Sequence, residues 1–458
     1  MRLRKVFLMA TLLLATLGHA QQMQPGPQAA LGESTSAVSG INARTLGAKG
    51  DNRSDDTQAI QKAMDMAFGR GGQRGNVYLP RGSYRISGQL AMYNTEDSKP
   101  ADGGCLIGDG IEQTILVWHG PPDQSAVRMI GAFQCVRDLS ILADSDWLAG
   151  INYDGDPHIG RSTHGTIERV HINCNGHNGD GIDLGKNGFQ ADMLTIYHPS
   201  IRGCTQGNGI ATWNGNVLSI TVLGPTLGRN HVGILKGTTT NLSVFSGEFD
   251  RQDINFVAAG GGPLNITGVR SENSKRSYFD EVGGYPQPVT FMNYWLSNIN
   301  VERPQARATI AAQTRDLTLS EGGYVEGDWI NIPGAGPSGK PLRAKITEWS
   351  SPTQVKIQPP AATSVNGAPV KLDGAQYSFE ENSSGPYVHI GMLVVGPGSE
   401  IVPNSRGAQV FIGDVFGENV QNPFGLPSGA AMPPHSFIMS SFGNAHQAPQ
   451  PMANWDGR

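Results

Sequence analysis

The chain has 458 residues, 61 of them Gly, with 16% charged residues and a formal net charge of −5 at neutral pH. So much glycine and so little charge exclude a fold of long amphipathic helices. The acidic balance excludes a nucleic-acid partner, since a phosphate backbone selects a basic face, but leaves room for an acidic glycan held by a local basic cluster or a bound cation.

In chain order, Arg2, Arg4 and Lys5 precede an apolar run from Val6 to Leu17 that is too short to span a bilayer. Gly18-His19-Ala20 then offers small residues where a signal peptidase reads. Residues 1–20 are expected to be a signal peptide, with the protein exported to a periplasm or secreted, and without a membrane span. Residues 21–40, made largely of Gln, Pro, Gly, Ser and Ala, read as a disordered linker.

One helix follows. Asp55 is expected to cap it, with Gln58 completing a capping box. Ile60, Ala63, Met64 and Ala67 form one apolar face, and Gly69, Gly71 and Gly72 end it. Strands are expected at 76–79 and 83–87, around a Pro80-Arg81-Gly82 turn.

A repeat then sets in. Gly-Ile pairs recur at Gly150-Ile151, Gly181-Ile182, Gly209-Ile210 and Gly233-Ile234. A column of β-branched residues, Ile141, Ile172, Ile196, Ile220, Val244 and Ile266, advances in steps of 22 to 31 residues. Turns such as Asn175-Gly176, Asn187-Gly188 and Asn214-Gly215 suit the left-handed backbone of tight corners. Short strands at this period are coils: one coil cannot bury its apolar stripe, but a stack can. The Gly-Ile pairs read as turn-plus-core positions, which speak of fold rather than chemistry.

The expected architecture is all-β: a right-handed parallel β-helix over 41–316 with an N-terminal capping helix, then a small β-module over 317–372 with strands at 328–332, 342–346 and 354–357. β coils return over 373–432, including 388–395 and 408–415, and 433–458 is a loose tail. The four cysteines, Cys105, Cys135, Cys174 and Cys204, are spaced by 30, 39 and 30 residues. Stacked strands lie about 4.8 Å apart, within a disulfide's reach, so Cys105–Cys135 and Cys174–Cys204 can bridge. Four buried thiols are the other reading. No CxxC or His/Cys cluster suggests a metal site.

Three segments, INARTLGAKGD from Ile41 to Asp51, SDDTQAIQKAM from Ser54 to Met64 and VYLPRGSYRI from Val77 to Ile86, resemble the N-terminal module of the pectate-lyase-like superfamily, of rhamnogalacturonase/epimerase type. The resemblance implies that the helix covers the open end of the β-helix. It also implies polysaccharide chemistry, since the superfamily holds polygalacturonase-like hydrolases, rhamnogalacturonan-active enzymes, alginate lyases, epimerases and phage tailspikes. The stretch 328–370 looks like a small β-module of phage-tail-like β-helix proteins.

Candidate chemistry gathers at three places. His177 to Asp183, reading HNGDGID, resembles the Asn-Thr-Asp-Gly-Ile-Asp motif of the polygalacturonase family and implies Asp180 as a catalytic acid. Inverting hydrolysis needs two carboxyls. The family's Asp-Asp pair on the next coil is replaced by Gly207 and Asn208, which leaves Asp183 to substitute, and His231 falls near the family's Gly-His-Gly. Asp180, Asp183, His177 and His231 are therefore the catalytic candidates; an Asp-Gly corner is the alternative for Asp180. Tyr153 to His158, reading YDGDPH, resembles the Tyr-Gly-Phe-Asp-Pro-His motif of mannuronan epimerases. It implies an alternative set, Tyr153, Asp156 and His158, able to work on both faces of a sugar; an Asp-Pro turn is the other reading. Arg202, Arg229, Lys236 and Arg270, together with Lys275 and Arg276, form a basic set on successive coils suited to binding an acidic substrate, or simply solvated charges. Trp213, with Tyr278, Tyr285, Tyr294 and Trp295, can stack on sugar rings or pack the core.

The sequence thus points to a secreted carbohydrate-active protein that cleaves glycosidic bonds of a polymeric, acidic polysaccharide as a hydrolase or lyase. The alternatives are a non-catalytic glycan-binding or surface-structural β-helix and a uronan C5-epimerase. No cofactor is expected, except calcium for a lyase; the partner is the polysaccharide.

Overall fold

The computed structural model describes residues 40–68, 75–95, 98–237, 240–258, 262–274, 277–279, 289–297, 306–321, 324, 329–351 and 353–372. Beyond these it describes the backbone of short strands from Tyr377–Glu381 to Gln450–Pro451. The expected signal peptide, nearly all of the linker, Lys275, Arg276 and Tyr285 lie outside the described residues, and of Tyr278 only the backbone is described.

The chain folds as a right-handed parallel β-helix. Each strand pairs in parallel with its counterpart one coil on, so one 21-stranded sheet, one eight-stranded sheet and a three-stranded corner sheet run along the stack. The Gly-Ile pairs are in register: Ile151, Ile182, Ile210 and Ile234 are successive partners in the eight-stranded sheet, followed by Phe256. These isoleucines are buried and belong to one core that runs from Ala43 to Tyr294.

The single column expected from Ile141 to Ile266 is three columns. Ile141 and Ile172 stack with Ile201, Leu227 and Phe249. Ile196 stacks with Ile167, Val222, Val244 and Ile266. Ile220 stacks with Leu242 and Leu264. The reason lies at a corner. Every coil has a left-handed residue there, at Asp138, Arg169, His198 and Gly224, but these corners are 31, 29 and 26 residues apart, so a step of 24 from Ile172 lands on Ile196, before the corner, instead of on its partner Ile201 after it.

The helix spans Thr57–Ala67 and buries the expected face, Ile60, Ala63, Met64 and Ala67, in the end of the core. It starts later than the capping box implied. Asp56 is the N-cap, but its carboxylate accepts the N–H groups of Lys49 and Gly50 instead, and Asp55 accepts the Thr57 N–H at 3.0 Å. Both cysteine pairs are disulfides, Cys105–Cys135 and Cys174–Cys204, with Cα separations of 4.4 and 4.8 Å. Each joins one coil to the next.

The β-module has its own antiparallel seven-stranded sheet and its own core. That sheet takes in Arg307–Ile310 and Asp316–Leu319, so it begins before the expected boundary at 317. The stack resumes at Tyr377–Glu381, which pairs in parallel with Ser277–Phe279, and at Tyr387–Val395, which pairs in parallel with Val289–Met292 and Tyr294–Ser297, and it continues with Glu400–Pro403 and Gln409–Gly417.

Candidate functional site

The eight-stranded sheet carries a row of residues one place beyond each core isoleucine. Register makes Arg128, Asn152, Asp183, Ala211 and Leu235 successive partners along it. A core strand alternates its faces, so residues beside buried isoleucines leave the core together. Arg128, Asn152 and Asp183 thus stand one coil apart on one side of the sheet.

Two further acids join them. Asp180 opens the strand Asp180–Leu184, and its Oδ1 accepts the backbone N–H of Asn208 at 2.9 Å and the Asn208 amide at 2.8 Å from the next coil. Asp154 follows the strand Ala149–Tyr153, and its Oδ2 accepts the Asn187 N–H at 2.5 Å. That N–H belongs to a turn closed by Gly185 and Gly188, both at positive φ (75° and 83°), where a side chain would be strained. The turn returns Lys186 to the acids: its Nζ lies 3.8 Å from Asp180 Oδ2 and 3.9 Å from Asp183 Oδ2. The ammonium also sits 4.6 Å from the centre of the Trp213 ring, which projects from the following coil.

The cluster is closed off yet incompletely bonded. Asn152, Asp154, Asp180 and Asp183 are all at most 3% exposed. Both Asn152 polar atoms, both Asp183 oxygens, Asp154 Oδ1 and Asp180 Oδ2 lack a hydrogen-bond partner among the described residues. Buried polar groups are nearly always paired, so this concentration singles out the cluster among the buried residues. Burial raises the Asp180 carboxyl above its ordinary value. Burial, then the neighbouring Asp180 and Asp154 charges, raise Asp183 well above its own, with Lys186 opposing. Burial pushes Asp154 up to about 6. Burial and these neighbours thus favour the protonated form of Asp183. A buried carboxylic acid beside a partly exposed ammonium and an indole is suited to donating a proton to a sugar oxygen or carbon.

The structure brings Asp180, Asp183 and Trp213 together. It places the other candidates elsewhere. His177 faces Asp146, with Nδ1 3.3 Å from its Oδ1. His231 is two coils from Asp180, and its Nδ1 lies 3.2 Å from Asp253 Oδ2. Tyr153 is part of the core: its hydroxyl donates to the Asp192 carbonyl at 2.9 Å and accepts the Gly165 N–H, and burial raises its pKa. Asp156 shapes the turn, accepting the His158 N–H at 2.9 Å and pairing with Arg128 at 3.1 Å, while His158 is exposed. Burial opposes ionisation of Asp156, but these contacts outweigh it and hold its pKa low. Tyr153, Asp156 and His158 thus do not converge, because the tyrosine points into the stack and the other two hold its rim. Lys236 is also buried, on the strand Val232–Lys236, rather than displayed to solvent with the other cations. Arg202, Arg229 and Arg270 belong to the large sheet and its corner, on a different face from the acids. Tyr294 is buried in the core, and Trp295 is 48% exposed beneath Arg270. No group of three or more metal-binding side chains occurs among the described residues.

Asn152, Asp154 and Lys186 were not among the expected site residues. The position after each Gly-Ile pair was the signal for Asn152. Lys186 and Asp154 depend on a turn whose path only the folded coil reveals.

Residues 40–120 match the family described as rhamnogalacturonase A/epimerase, pectate lyase-like. The chain is 31% identical over 153 residues to mannuronan C5-epimerase AlgE4 of Azotobacter vinelandii, which covers 29% of this chain and 25% of that protein. It is 40% identical over 82 residues to alginate lyase 7 of the same organism, covering 16% and 8%. The chain spans no more than a quarter of the length of the curated relatives it matches. Among solved structures, the catalytic domain of a GH87 alpha-1,3-glucanase in complex with nigerose aligns with a TM-score of 0.47 and 11% identity, over 91% of this chain and 69% of that one. The chain is thus a parallel β-helix protein whose residues 40–120 match a pectate lyase-like family.

Proposed function

We propose that the protein is an enzyme acting on a uronic-acid polysaccharide, with Asp183 as proton donor and cleavage of the glycosidic bond as the reaction. The observation that carries this is the buried carboxyl of Asp183, whose protonated form burial and the neighbouring acids favour, beside Asp180, Asp154 and Lys186. Protonating the glycosidic oxygen as the bond breaks is the step such an acid serves, whether water or β-elimination completes it. Lys186 balances the charge left behind, and Trp213 offers an aromatic face beside it. The names of the relatives, mannuronan epimerases and an alginate lyase, support the substrate class. They also favour a second reading, epimerisation at the carbon next to the carboxylate, in which the same acid returns a proton to carbon. Two disulfides support an oxidising compartment and hence export.

Incubating the protein with polymannuronate, polygalacturonate and a neutral glucan separates the outcomes. New reducing ends with absorbance of an unsaturated uronate identify a lyase, and reducing ends without it a hydrolase. A change of sugar configuration seen by NMR at constant chain length identifies an epimerase. Retention of the glycan with none of these changes overturns the enzymatic reading.

A further inference from the structure

A second polar face remains, on the large sheet rather than beside the acid cluster. Ile115, Ser140, His171, Ser200, Thr226 and Glu248 are successive register partners on six consecutive coils. At about 4.8 Å per strand, that row runs for about 24 Å along the stack. Beside it Asn173, Arg202, Gly228 and Asp250 form a second row. Between the rows lie two cavities of about 700 and about 500 Å³ that share Asn173 and Arg202, so together they make one groove. Gly228 deepens it: a Cβ there would lie 3.8 Å from the Arg202 Cβ, and its absence leaves a notch between Arg202 and Asp250.

The charges of the groove are unequally spent. Asp250 is engaged by Arg251 at 3.2 Å and by the Asn273 amide at 3.1 Å. Arg202 and Arg229 are exposed and have no carboxylate partner among the described residues, while Glu248 is the remaining acid. His171 is bonded to Ser200 at 2.9 Å, and burial, then Arg202, lower its pKa, so it is a neutral hydrogen-bonding group at neutral pH. An elongated groove lined by hydroxyls, an amide and two unpaired guanidinium groups fits a chain that is rich in hydroxyls and carries carboxylates, because a guanidinium fork takes a carboxylate with two parallel bonds.

We propose that this groove is a second, non-catalytic binding site for a carboxylated polysaccharide chain, which lies along the stack while the acid cluster works on another face. It rests on the reading of the substrate as an acidic glycan. It also gives Arg202 and Arg229 a role distinct from the chemistry around Asp183.

The test is affinity electrophoresis of the full chain in gels containing polymannuronate or, separately, neutral dextran, with turnover of polymannuronate measured in parallel. The parent is expected to be retarded by polymannuronate alone, less so as salt rises. Arg202→Ala/Arg229→Ala is expected to bind at least tenfold more weakly, with an unchanged thermal melt as the folding control. Asp183→Asn is expected to keep the parent's retardation and lose turnover. An Arg double variant retarded as strongly as the parent overturns the second site, as does equal retardation by dextran. Full turnover in Asp183→Asn, with the Arg variant still weakened, removes the catalytic reading and leaves the second site standing.

Discussion

Asp183 is a carboxyl surrounded by its own kind. Its burial and its two acidic neighbours favour the neutral form, and the Lys186 ammonium, 3.9 Å from its Oδ2, opposes them. Asp183→Asn keeps the shape and removes the transferable proton, so its turnover is expected to fall by about 100-fold or more with an unchanged circular dichroism spectrum. Lys186→Met removes the cation, which raises the Asp183 carboxyl further and moves the basic limb of the kcat–pH profile to higher pH. Asp154 gives a stability test. Its folded value of about 6 lies above the ordinary 3.8, so folding favours the protonated form. The stabilisation linked to that proton is complete below pH 3.8 and is lost as pH rises through about 6. Between pH 4 and 7 the parent Tm should therefore fall relative to that of Asp154→Asn, as read by a melting series in both proteins.

At the level of strands, the stack leaves little room. A Cβ at Gly181 would meet the Ile201 Cγ2 at 2.4 Å and the Gly209 carbonyl oxygen at 2.6 Å. The latter is backbone of the next coil and cannot swing aside. Gly181→Ala is expected to be destabilising by about 1–3 kcal/mol in denaturant unfolding, as overpacking generally is. That glycine recurs in the sequence, as do its isoleucines, because every coil meets the same steric demand at the same place in its strand, against the backbone oxygen of the next coil. Repetition made the eight-stranded sheet legible. The large sheet was less so: its coils change length, with left-handed corners at Asp138, Arg169, His198 and Gly224 spaced 31, 29 and 26 residues apart, so a fixed sequence step drifts from one side of the corner to the other. The same limit separates the site residues. Asp180 and Asp183 were found through a motif within one strand, and Asn152 follows from the repeat. Lys186 reaches the acids through a turn, and Tyr153 turns inward by the alternation of its strand, so a linear motif that includes it cannot report which face it occupies.

For the whole molecule, parallel stacking makes each coil depend on its neighbours. The helix Thr57–Ala67 covers the first of them, and the module over 307–372 builds a separate core between coils that pair directly across it. Deleting the module while joining the flanking coils is expected to leave the N-terminal stack folded, checked by retention of both disulfides and of the parent's cooperative melt for that part. The bridges bind residues 30 apart in sequence, and replacing Cys174 and Cys204 by Ser is expected to cost about 2–4 kcal/mol of unfolding free energy.

Those two bridges also give unravelling a direction. Asp154, Asp180, Asp183 and Lys186 all lie between Cys135 and Cys204, and no other disulfide occurs among the described residues. Coils beyond Cys204 are held by hydrogen bonds and core contacts alone, so a protease or a pulling force that peels the stack from its C-terminal side meets its first covalent stop at Cys204. Wear of this kind reaches Arg229 and Glu248, at the far end of the groove, before it reaches the acids. A molecule worn from that side would thus lose the far end of its groove while its buried carboxyls were still in place.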